Sequence, residues 1–222
     1  MSLRLAVDDF GGPRPVMPDP APDRFPRCVA IAEYSGVLAR TVRAHKDADR
    51  VDARPVLAAL LHPVILQAAA CCREPPVIVP APSVAAATRR RGRNPTSELA
   101  TEAAGGSWPI LPALHVLPGV ADQSGLSAPA RRRNVSSSIV VPEGLARQIA
   151  GRSVIVVDDV VTTGSTLAAA HDGLALAGAA EVHAAVICAT SKRTPGRQLS
   201  IPPESGLTSC HGSPTPPGRP AT

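Results

Sequence analysis

Two adjacent carboxylates, Asp158 and Asp159, stand between an apolar run, Val154 to Val157, and a hydroxyl-rich loop, Thr162 to Thr166, with Gly164 at its centre. A loop that opens a helix offers backbone N–H groups and the positive end of the helix dipole, so it can cradle an anion. Gly164 removes a Cβ and lets the backbone approach that anion, while Thr162, Thr163, Ser165 and Thr166 add hydroxyl donors. The stretch lacks the lysine and glycine spacing of a nucleotide P-loop, and it lacks GxGxxG. Two acids beside a phosphate would repel it unless they grip something else, such as vicinal hydroxyls or a magnesium ion. A sugar phosphate with a free diol meets both demands.

The elements that must position this stretch are a strand before it and a helix after it. The β-branched run has no alternation, which suits a parallel strand buried on both faces, although periodicity alone does not separate it from a buried helix. Leu167, Ala170, Leu174 and Ala177 recur at helical spacing, and Gly178 stands where a C′ residue belongs. Upstream, residues 1–27 are rich in Pro and Asp and predict an irregular or mobile lead-in. A helix is predicted over 32–46, then a polar turn, then a helix from Pro55 to about Ala70 with a break or kink near Pro63. Residues 76–82 predict a short buried strand ending in prolines, 95–104 a helix, and 108–117 an edge strand. The stretch 118–138 reads as a long functional or disordered loop. A short strand at 139–141, a helical turn or two at 143–150 and a buried strand at 181–190 complete the core. From Ser191 onward Pro, Gly, Ser and Arg dominate and predict a disordered tail.

At 222 residues one domain is expected. The apolar fraction of 44% is mostly Ala, Val and Leu. Phe10, Phe25, Tyr34 and Trp108 are the whole aromatic complement, which argues against bases stacked on an aromatic platform. The net charge of +5 owes much to Arg89–Arg93 and Arg131–Arg133. Such clusters suit a polyphosphate as well as a nucleic acid. Five cysteines show no CxxC pair, so reduced thiols, a cytoplasmic location and no structural zinc are expected. The N-terminus does not read as a signal peptide, and the apolar window 56–72 is interrupted and too short for a comfortable membrane span.

Val154–Thr166 resembles the phosphoribosyl-pyrophosphate (PRPP) signature of type I phosphoribosyltransferases. The other pieces, in order, resemble the ComF family, the competence-associated branch. Tyr34, Gly36 and Lys46 match its first helix, Pro80-Ala81-Pro82 followed by Arg91-Gly92-Arg93-Asn94-Pro95 its second motif, and Gln123, Leu126, Ser127, Arg131 and Asn134 its third. Gly178-Ala179 precede the last strand. Arg93 and Pro95 replace the Phe and Gln of the second motif, and only Cys28 stands where many relatives carry a four-cysteine zinc module.

This resemblance implies an α/β fold of the type I phosphoribosyltransferase kind: a mostly parallel, twisted sheet flanked by helices, with a small hood. It divides the chain into a lead-in over 1–29, the phosphoribosyltransferase domain over 30–190 and a tail over 191–222. The implied activity is transfer of phosphoribosyl from PRPP to an acceptor, expected to be nitrogen, with release of pyrophosphate. Asp158 and Asp159 would hold the ribose hydroxyls, Asp159 being the weaker assignment. Val160, Val161, Thr162, Thr163, Gly164, Ser165 and Thr166 would form the 5-phosphate loop. Ala81, Pro82 and Ser83 would give backbone to the pyrophosphate, Arg91 charge, and Arg131 a closing contact over the leaving group. Mg2+ would be held through ligand oxygens rather than by dedicated protein ligands. The expected partners are PRPP and the acceptor, with nucleic acid, the competence machinery or further copies of the chain as candidate macromolecular ones. The alternative is a non-catalytic PRPP-fold protein acting in DNA uptake through such partners. A third reading is a conventional purine or pyrimidine salvage enzyme, which the scarcity of aromatics disfavours.

Overall fold

The computed structural model describes residues 11–47, 50–82, 94–117 and 139–190. The elements are β1 (Arg14–Val16), β2 (Arg27–Glu33), α1 (Gly36–Asp47), a 3-10 turn (Val51–Ala53), α2 (Arg54–Ala69), β3 (Val77–Pro80), α3 (Pro95–Ala104), β4 (His115–Val116), β5 (Ile139–Val140), α4 (Glu143–Ile149), β6 (Ser153–Val161), α5 (Ser165–Leu176) and β7 (Glu181–Ala189). Five strands form one sheet in the order β1-β2-β7-β6-β3. β1 runs antiparallel to β2, and the other neighbours are parallel. β4 and β5 pair antiparallel as a separate two-stranded piece, the hood.

Helices cover both faces of the sheet, which is why the central strands read as continuous apolar runs. Along β6, Ile155 and Val157 join a core with Leu57, Leu61 and Ile65 of α2 and Leu99 of α3. Val154 and Val156 join the opposite core with Leu167, Ala170 and Leu174 of α5. Arg54 ties α2 to α3 by donating to Glu98 and Glu102, each at 2.7 Å. The hood rests on α5 where Gly173 leaves room: a Cβ there would lie 2.8 Å from the carbonyl oxygen of Ile139.

Several boundaries differ from the sequence reading. Segment 1–29 is not irregular throughout, because Arg14–Val16 and Arg27–Glu33 form strands. The helix expected from residue 32 begins at Gly36, whose positive φ of 54° turns the chain out of β2. Pro63 does not break α2. It forfeits one backbone bond inside a helix whose Leu60, Leu61, Val64 and Ile65 are buried around it. The edge strand expected over 108–117 reduces to an isolated parallel bridge, Ile110 to Ile78, and the two residues of β4. Pro109 and Pro112 have no N–H to extend a ladder. By contrast α3 occupies residues 95–104 as expected, capped by Asn94, whose side chain accepts from the Ser97 N–H at 3.2 Å.

Candidate active site

In a parallel sheet, ligands bind outside the carboxyl ends of the strands. Here the ends of β3 and β6 lie side by side. Pro80 pairs with Val157, and the Ala81 N–H donates to the Val157 carbonyl at 2.8 Å. That bond fixes Pro80–Pro82 one residue ahead of Asp158. It also commits the only N–H that Ala81 has, and Pro82 has none. Neither Ala81 nor Pro82 therefore has a backbone N–H left to donate to a ligand. Ser83, Arg91 and Arg131 lie outside the described residues.

β6 continues through the acid pair to Val161, and the two carboxylates have different surroundings. Asp159 is buried, and its Oδ1 accepts from Lys46 Nζ at 3.1 Å. Lys46 comes from the last turn of α1, 113 residues away in sequence. Asp158 is half-buried. One of its oxygens accepts from the Asp159 N–H at 2.8 Å. Burial, and then the neighbouring charge of Asp159, push the Asp158 carboxyl up from its ordinary value to about 7, with Lys46 opposing. Asp158 is thus the acid left to meet a ligand, and Asp159 the one bound to the scaffold. The thiols behind the pair are correspondingly inert: burial and the nearby acids raise Cys28, and push Cys188 up to about 12.

Gly164 begins α5 at φ 75°, and no side chain caps the helix. The Ser165 N–H donates to Thr163 Oγ1 at 3.4 Å, and the remaining first-turn N–H groups face the loop opening, as an anion cradle requires. Thr163 Oγ1 and Ser165 Oγ lie 3.0 Å apart, and Thr162 and Thr163 are exposed. Val160 and Val161 belong to the packed strand: Val161 is buried and its carbonyl accepts from the Thr190 N–H at 2.9 Å. They support the loop from beneath. At the far end of α5, Gly178 and Ala179 close the helix by donating to Ala175 and Leu174, each at 3.0 Å, with Gly178 at φ 86°.

A segment not singled out by sequence reasoning buttresses the cradle. Pro18 and Phe25, between β1 and β2, pack directly under Gly164. Arg24 in the same segment reaches Asp172 of α5 at 3.6 Å. Lys46 is the other residue whose role spacing did not reveal. Truncating it as Lys46→Met leaves the buried Asp159 carboxylate without this cation. Because Lys46 is itself about half exposed, the expected cost is only about 1 kcal/mol, or roughly 2–4 °C in melting temperature. Thermal melts of the variant check this; an unchanged melting temperature would mean that the pair contributes nothing to the fold.

A magnesium ion that takes one or two protein carboxylates and completes its shell with substrate oxygens and water fits this donor set. Asp158 offers a carboxylate beside the cradle, while Asp159 already holds a cation. Among the described residues, the cluster of three or more metal-ligating side chains lies elsewhere.

The phosphoribosyl transferase domain family matches residues 116–200. Adenine phosphoribosyltransferases from Mycobacterium sp. strains KMS, JLS and MCS are each 49% identical over 53 residues, or 23% of this chain and 29% of theirs. The match thus spans less than a third of those relatives' length. Similar solved structures include the allosteric regulatory enzyme of purine biosynthesis (TM-score 0.38, 21% identity, 59% of this chain and 26% of that one). Another is the glutamine PRPP amidotransferase from B. subtilis complexed with ADP and GMP (TM-score 0.41, 19% identity, 64% and 30%). The family match takes in β6, the hydroxyl loop, α5 and β7, so this part of a mostly parallel, helix-flanked sheet is similar to a phosphoribosyl transferase domain.

Proposed function

We propose that the chain is a PRPP-dependent phosphoribosyltransferase of the competence-associated ComF branch, acting in the cytoplasm on a nitrogen acceptor. The observation that carries the reading is the junction of β3 and β6, where the Ala81–Val157 bond sets a proline-bounded turn beside Asp158 and the uncapped start of α5. The α5 end suits a 5-phosphate and Asp158 a diol, and the β3 end is assigned to the pyrophosphate. The branch assignment rests on the order of the motifs, including Lys46 at the end of the Tyr34–Gly36 helix.

In this reading the α5 N–H groups and the hydroxyls of Thr162, Thr163, Ser165 and Thr166 hold the 5-phosphate. Asp158 accepts from the ribose hydroxyls, which fixes C1 relative to Ala81 and Pro82. The C1–O bond breaks and its electron pair leaves with pyrophosphate. The acceptor lone pair forms the C1–N bond, and its proton passes to solvent. Positive charge on the ribose builds near Asp158, which stabilises it as a carboxylate. Magnesium, when bound, neutralises charge on the departing pyrophosphate. Arg91 and Arg131 are assigned to that same end, where a closing contact would exclude water. Most of the rate enhancement is positioning and preorganised charge.

Exchange of labelled pyrophosphate into PRPP, run with and without candidate acceptors, tests the transfer. Adenine is the first acceptor to try, given the partial match to adenine phosphoribosyltransferases. The proposal expects acceptor-dependent exchange. PRPP binding with no exchange under any acceptor tried is what the non-catalytic alternative expects.

A further inference from the structure

The sheet has a second chemistry-bearing pole, at the amino-terminal ends of β6 and β7. We propose that Cys72, Glu181 and His183 form a binding site there for a zinc-class divalent cation. One ligand atom from each residue lies within 4.8 Å of the other two. Cys72 follows the end of α2, whereas Glu181 and His183 lie two apart on β7 and so share a strand face. The residue types are the borderline nitrogen, sulfur and oxygen donors that zinc takes, three from protein with a fourth position left to water.

The distances suit a metal better than they suit a hydrogen bond. His183 Nε2 stands 3.5 Å from Glu181 Oε2, long for a charged hydrogen bond. Two ligands each about 2.0–2.1 Å from a tetrahedral ion sit roughly 3.3 Å apart. Glu181 is also pinned as a ligating carboxylate should be. Its Oε1 accepts from Ser153 Oγ and from the Arg73 N–H, both at 2.6 Å, which directs Oε2 toward His183. Cys72 Sγ donates to the Ala68 carbonyl at 3.5 Å. On binding, the thiol would lose its proton to solvent and turn to the metal. Arg27, paired with His183 across the ladder, is the neighbouring positive charge, and it is exposed enough to swing into water.

Such a site would clip the end of α2 to β7. It lies about 20 Å from Asp159, six residues along β6 from Ser153, so it is separate from the PRPP site. Sequence spacing hid it, because Cys72 and Glu181 are more than a hundred positions apart and neither has a close partner of the zinc-module kind.

The test loads the full chain with equimolar Zn2+, desalts it, and measures retained metal and melting temperature. Co2+ substitution adds a readout, since a thiolate on tetrahedral cobalt gives a charge-transfer band. Wild type should retain about one equivalent, melt higher than the chelator-treated protein and show the band. Cys72→Ser should lose the band and most of the metal, and His183→Gln should lose most of the metal. A Cys210→Ser/His211→Ala variant controls for the tail and should behave as wild type. Failure of wild type to retain zinc, or equal retention by Cys72→Ser, would overturn the proposal. PRPP binding should be the same in Cys72→Ser and wild type, so this result and the phosphoribosyltransferase reading stand or fall separately.

Discussion

Asp158→Asn is expected to weaken binding of PRPP with magnesium by roughly 30- to 150-fold, about 2–3 kcal/mol, while the protein stays folded. The loss corresponds to the charge-assisted hydrogen bonds from the two ribose hydroxyls. The fold should survive because the carboxylate is only half-buried and lies near the end of β6. The same substitution should alter two pH profiles. In the folded protein the Asp158 carboxyl is raised from its ordinary 3.8 to about 7, so the native state holds this proton more tightly than the unfolded chain does. Its contribution to stability is therefore full below the unfolded value. It declines as pH rises through the interval between the two values and is flat above about 7. Asparagine removes that decline. Binding runs the other way, since the ligand needs the carboxylate: wild-type affinity should fall by about tenfold per unit below pH 7. PRPP itself titrates in both proteins, so the difference between the two profiles isolates Asp158. Wild-type affinity in Asp158→Asn would make the acid pair structural.

Gly164→Ala should have the largest effect on stability. At φ 75° an L side chain is strained by about 1 kcal/mol. The added Cβ would also lie 2.7 Å from Phe25 Cε2 and 2.8 Å from Pro18 Cγ. Overpacking of that kind costs about 1–3 kcal/mol. The sum, about 2–4 kcal/mol, corresponds to a fall of roughly 4–16 °C in melting temperature. The loop must move to accommodate the methyl, so 5-phosphate binding should fail as well. Phe25→Ala in the same chain opens space beneath the loop and should return part of the loss, leaving the backbone strain. If Gly164→Ala melts as wild type does, the packing of residues 18–25 beneath the loop is not as described.

These two sites also mark where the sequence was legible. The β6–loop–α5 unit could be read because each signal was local: a β-branched run buried on both faces, hydroxyls around a glycine, helical spacing, and a glycine to end the helix. β2 was hidden because Arg27–Glu33 follows a Pro- and Asp-rich stretch and runs straight into Tyr34–Gly36, so its last residues blended with the helix. The expected edge strand failed because two prolines deprive it of donors. What spacing could not show were the long-range meetings. Lys46 reaches Asp159 across 113 residues, Pro18 and Phe25 underpin Gly164, and Cys72 approaches Glu181 and His183. Each depends on sheet order, which sets β2 and β6 on either side of β7. The Ala81 contact illustrates the same limit. The residue is assigned to the pyrophosphate as a backbone donor, yet strand pairing has already taken its N–H.

PRPP is expected to occupy the end of β6, and a thermal melt with PRPP and magnesium tests that most directly. Ligand at about 100 times its dissociation constant adds roughly 2.7 kcal/mol, which corresponds to a rise of about 5–11 °C. Ribose 5-phosphate should raise the melting temperature less, because it lacks the pyrophosphate that Ala81, Pro82 and Ser83 are assigned to meet. The same PRPP concentration should shift Asp158→Asn much less than wild type. No shift of the wild-type protein at saturating PRPP and magnesium would contradict the account.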